Sequence, residues 1–166
     1  RVSNRRHDSV TPIATKHLVR APLGSAQRLL HAFFAANPAP KGAGARIALH
    51  AGDATQAAIV VLQQAHRPQD MTPHYKVHWE ADGGGPFPIF DGELLVGADE
   101  DYNAFWLQLA GVYTPPGGFA GQLFDRVIGR RIAEETSRRL LSKMAAAMER
   151  GFAGEELSKT RHASER

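Results

Sequence analysis

The sequence predicts an α+β protein in which one curved antiparallel sheet is covered by helices gathered on one side. Three observations lead there. Apolar residues recur at helical spacing near residue 30, switch to alternation from 46 to about 113, and return to helical spacing afterwards. The connections between the alternating stretches are short turn-forming strings, which suit antiparallel neighbours because parallel strands require long crossovers. With 166 residues, 43% hydrophobic and 22% charged, the chain has the composition of one globular domain.

The elements follow in order. Residues 1–16 mix Arg, Ser, Asn, Thr and Pro without a period and are expected to form a flexible arm. A short extended segment follows at His17–Pro22. Ser25 is a plausible helix cap, and Leu29, Leu30, Phe33 and Phe34 recur as one helical face. Asn37-Pro38 ends that helix, since a residue before proline avoids the helical region.

Strands are expected near Arg46–Ala51, Ala57–Arg67, His74–Ala81, Pro88–Gly97 and Asn103–Tyr113, divided by Gly-, Pro- and Asp-rich turns. In the third, Tyr75, Val77 and Trp79 share a face opposite His74, Lys76 and His78. In the fourth, Phe90, Leu94 and Val96 oppose Asp91 and Glu93, with Gly92 on the apolar side. In the fifth, Phe105, Leu107, Leu109 and Tyr113 oppose Trp106 and Gln108.

Beyond Pro115-Pro116-Gly117-Gly118, the line Ala120, Phe124, Ile128, Ile132, Thr136, Leu140, Met144 and Met148 predicts a helix of about 30 residues, or roughly 45 Å. Gly151 is the expected stop, and residues 151–166 the expected flexible tail.

Charge and composition exclude several functions. The formal charge is +3, and the excess sits in the first 16 residues, where Arg1, Arg5, Arg6 and Lys16 face one Asp8. The domain expected at 17–150 is neutral, so nucleic acid is not an expected partner. No apolar run approaches the roughly 20 residues of a membrane span. The absence of Cys excludes disulfides and cysteine-ligated metal. With no apolar leader at the start, the expected location is cytoplasmic. Nothing in the pattern sets an oligomeric state.

The strings GGGPFPIFDGELLVG (83–97), LQLAGVYTPPGG (107–118) and FDRVIGRRIAEETSRRLLSKMA (124–145) resemble the SRPBCC superfamily, the START-related, polyketide-cyclase-like helix-grip fold. Trp79, Gly92, Gly111, Tyr113 and Ala133 stand where similar proteins carry them. The resemblance implies a sheet wrapped around the long C-terminal helix, with a mostly apolar cavity between them that holds a small hydrophobic molecule. Some members are cyclases or hydratases, and fold alone does not choose among these.

The expected ligand-facing set is the inward faces: Tyr75, Val77 and Trp79; Phe90 and Leu94; Phe105, Leu107, Leu109 and Tyr113; with Phe124 and Ile128 from the long helix closing one side. Tyr75, Trp79 and Tyr113 each carry one hydrogen-bonding group for orienting a ligand. The same aromatics can instead be plain core, each tip satisfied by nearby backbone. The main expectation is binding of a lipid, polyketide or aromatic molecule. The alternatives are a cyclase- or hydratase-like enzyme, with a tyrosine or with His50 or His66 moving a proton, and a surface-mediated interaction module without a ligand.

No cofactor or metal is expected. His74 and His78, four apart on a strand, stand roughly 13 Å from each other, too far to chelate one ion, and both are expected in solvent. Asp91 and Glu93 are expected to face water. The Arg-rich stretch of the long helix is expected to be a solvated face paired with Glu134 and Glu135.

Overall fold

A computed structural model of the chain describes residues 11–65, 72–84, 87–114 and 126–164, with the side chains of Thr11, Ala51, Ala54 and 126–129 left out. The elements are β1 (Thr11–Val19), a 3-10 turn (Leu23–Ser25), α1 (Ala26–Ala35), β2 (Ala45–Ala51), β3 (Ala54–Gln64), β4 (His74–Ala81), β5 (Ile89–Ala98), β6 (Phe105–Thr114) and α2 (Arg126–Ser164). The strands form one sheet in the order β1-β6-β5-β4-β3-β2, antiparallel throughout. The fold is α+β, as the periodicity predicts.

Closure comes from α2. Its backbone approaches β1 and β2, the two edges of the sheet, far more than the central strands. One straight element can reach both edges only if the sheet curls toward it, which gives the helix-grip arrangement. Two hydrogen bonds tie the edges down: Thr136 Oγ1 donates to the His50 carbonyl at 2.5 Å, and the Arg20 backbone N–H donates to Glu149 Oε1 at 2.8 Å. Helix α1 packs against α2 and buries Leu29, Leu30 and Phe33. Among the described residues no helix is long and apolar enough to cross a membrane.

Strand β3 runs Ala54–Gln64 where Ala57–Arg67 is expected, and two further boundaries differ by more. Strand β1 begins at Thr11, inside the stretch expected to be an arm, and pairs with β6 from Thr11↔Tyr113 to Val19↔Phe105. Ile13 and Val19 are buried on its inner face. Only these two positions carry large inward apolar groups, so a strand held by a partner across the sheet looked like a polar tail.

Helix α2 does not stop at Gly151 but continues to Ser164. Gly151 lies inside the helix rather than at a cap, and a Cβ there would make only ordinary contact with Leu29 Cδ2 at 3.4 Å. Beyond it, good helix formers and local bonds such as Lys159 to Glu156 at 2.7 Å carry the helix on.

Candidate functional site

The sheet register explains how the inward residues meet. Residues directly opposite on antiparallel strands share a face. One row runs Tyr113–Phe90–Trp79–Val60, and a second runs Thr15–Leu109–Leu94–Tyr75–Gln64. Between them lie Ile13, Gly111, Gly92, Val77 and Leu62. Leu107 and Phe105 continue the face toward the end of β6.

The structure thus brings Tyr75, Val77, Trp79, Phe90, Leu94, Phe105, Leu107, Leu109 and Tyr113 onto one concave face, none more than 4% exposed. Phe124 lies outside the described residues. Ile128 falls in the first turn of α2, and its side chain is likewise outside them. From α2, Ala133, Ser137, Leu141 and Met144 are buried.

Polar atoms on this face are few and unusual. Among the described residues, Tyr75 OH, Trp79 Nε1, Tyr113 OH and Thr15 Oγ1, with Ser137 Oγ of α2 facing them, are buried with no protein hydrogen-bond partner. Buried polar groups nearly always have one, because an unmade bond costs about 1–3 kcal/mol. Among the described residues, no backbone group satisfies the tips of these three aromatics. Burial also pushes the Tyr113 and Tyr75 hydroxyls above the ordinary tyrosine range. Both therefore remain neutral donors at physiological pH.

A solvent-open cleft of about 470 Å³ meets this face from outside. It is lined by His31, Phe34 and Ala35 of α1, Pro38 and Gly44 of the following loop, Leu62 and Gln64 of β3, and Tyr75 of β4. Tyr75 thus belongs both to the cleft and to the concave face. Alternation places Tyr75 inward, but no local signal sets the face of Leu62 or shows that α1 folds over this end of the sheet.

The outer face holds one correction. His74 is buried, with Nε2 3.1 Å from Glu93 Oε2, where alternation placed it in water. His78 and Asp91 are exposed, as expected, and paired at 2.7 Å. Among the described residues no group of three or more His, Asp or Glu side chains is placed to hold a metal ion. His50 bonds Thr55 Oγ1 through Nδ1 at 2.8 Å, and His66 lies outside the described residues. On α2, Arg130 pairs with Glu134 at 2.8 Å and Arg139 with Glu135. Trp106 faces outward, with Lys16 Nζ 4.6 Å from its ring centre.

No protein-family model matches the chain. No curated protein matches it in sequence. Among solved structures it is similar to the ZhuI aromatase/cyclase from Streptomyces sp. R1128, with 14% identity, a TM-score of 0.47, and coverage of 85% of this chain and 94% of that one. It is also similar to DynU16, a protein of the dynemicin biosynthetic locus, with 16% identity, a TM-score of 0.42, and coverage of 84% of this chain and 46% of that one.

Proposed function

We propose that this helix-grip protein binds a small, largely hydrophobic molecule, such as a lipid, polyketide or aromatic compound, between the concave face of its sheet and α2. The observation that carries the reading is the set of unpartnered buried polar atoms, Tyr75 OH, Trp79 Nε1 and Tyr113 OH, in otherwise apolar surroundings. An apolar site with a few directed polar groups is what small-molecule recognition requires. Leu94, Leu107 and Leu109 supply apolar area, worth about 25 cal/mol per Å² removed from water. Burial keeps both phenols protonated, so each serves the ligand as a hydrogen-bond donor.

The test is a thermal-shift panel of fatty acids, sterols, aromatic polyketides and flavonoids. A ligand at 100 times its Kd adds about 2.7 kcal/mol. For a domain of this size that raises Tm by several degrees.

Tyr113→Phe separates the readings further. The apoprotein is expected to be as stable as wild type or about 1 kcal/mol more stable, because the hydroxyl has no partner to lose. Affinity for a hit should fall by about fivefold or more. Panel compounds that leave Tm unmoved would sink the reading and favour the surface-interaction module.

A further inference from the structure

The cleft beside Tyr75 is a built feature of the fold. Its loop wall is fixed to β2 by the Arg46 N–H donating to the Asn37 carbonyl at 2.9 Å and to itself by Ala39 N–H donating to Gly44 O at 3.1 Å. Gly44 has φ of 117°, and a Cβ there would lie 2.7 Å from the Val60 carbonyl, so only glycine lets this loop press against β3. Phe34 is braced edge-to-face by Phe33, with centroids 5.5 Å apart. The volume of about 470 Å³ suits a small molecule.

Among the described residues the lining contains no Lys, Arg, Asp or Glu; its polar groups there are the His31 imidazole, the Gln64 amide and Tyr75. Other clefts differ. The one between β2 and α2 carries Arg139 and Lys143, and the one on the outer face carries Lys76, Asp91 and Glu93. At the inner wall stands Tyr75, 2% exposed, with a buried hydroxyl that has no partner among the described residues. On its other side lies the concave face, where Leu94 stands directly opposite it. A charged ligand passing inward from this cleft would lose water with no counter-charge among the described residues to replace it, which is costly. An uncharged one bearing an oxygen loses less, and once past the ring it offers an acceptor to the Tyr75 hydroxyl, which is closed to solvent.

We infer that this cleft is the mouth of the ligand site, with Tyr75 as the wall between mouth and interior, and that it selects an uncharged, largely apolar molecule bearing a hydrogen-bonding oxygen. The inference rests on the ligand-binding reading above and adds a route and a ligand charge to it.

The test uses stopped-flow fluorescence with the full chain and two probes, uncharged N-phenyl-1-naphthylamine and its anionic 8-sulfonate. Ala35→Trp fills the mouth from an exposed helix position, so folding is retained; Ala48→Trp does the same in the charged β2–α2 cleft. The uncharged probe is expected to bind about tenfold tighter than the sulfonate. Its association rate is expected to drop about tenfold in Ala35→Trp and to stay within about twofold in Ala48→Trp. An unchanged rate in Ala35→Trp, or equal binding of the sulfonate, overturns the mouth or its charge preference and leaves interior binding standing. Uptake of neither probe by the wild type overturns both.

Discussion

At positions 92 and 111 the missing side chain is a requirement of the sheet. The two glycines are directly opposite on β5 and β6. A Cβ on Gly92 would lie 2.3 Å from the Ala110 carbonyl oxygen, and one on Gly111 would lie 2.4 Å from that of Asp91. Either Cβ would also meet Phe90 Cζ at 2.7 Å. The Phe90 ring therefore lies across the glycine pair, and Trp79 stacks on it with centroids 4.2 Å apart and planes 14° from parallel. Gly92→Ala should cost about 3 kcal/mol and lower Tm by roughly 10 °C. Phe90→Leu in the same chain should not restore it, because the nearest clashes are with backbone. A Tm change under about 2 °C would show that the strands part freely here. Alternation placed Gly92 on the apolar side, but that it faces Gly111 is a fact of register between strands.

Among the elements, β1 is the least visible in the sequence and yet holds an edge of the sheet. It pairs with β6 along its whole length and packs against α2. A chain starting at His17 would leave β6 with an unpaired edge and uncover the face that Ile13 closes. Such a chain is expected to lose cooperative unfolding or to aggregate. Retention of the full-length denaturation midpoint would mean β1 contributes little. The other elements were largely legible, because β4, β5 and β6 alternate cleanly and α2 carries a long apolar stripe. The end of α2 was not, because Gly151 reads locally as a stop, whereas the helix runs through it to Ser164.

For the whole molecule, closing the sheet around α2 places Tyr75 and Tyr113 in surroundings that raise both hydroxyls. Below about pH 10 both folded and unfolded chains keep these protons, and the contribution to stability is complete. Above it the unfolded chain gives them up first, so stability falls as pH rises toward the folded values. Tm is expected to be level up to about pH 9 and to decline beyond, with Tyr113→Phe flattening the decline. Phenolate absorbance should show these two rings ionising only with unfolding. Ionisation of both in the folded protein near pH 10 would contradict their burial.

The sequence by itself determined the α+β class, the succession of β2 to β6 along the chain and the face on which each inward aromatic of β4, β5 and β6 stands. These depend on residue spacing within one element, and spacing is local. Only the tertiary structure decided that Tyr75, Trp79 and Tyr113 lack partners among the described residues, that His74 is buried, and that a cleft opens where α1 meets β3 and β4. Those properties belong to atoms brought together from distant parts of the chain, where curvature and register, rather than period, set what touches what.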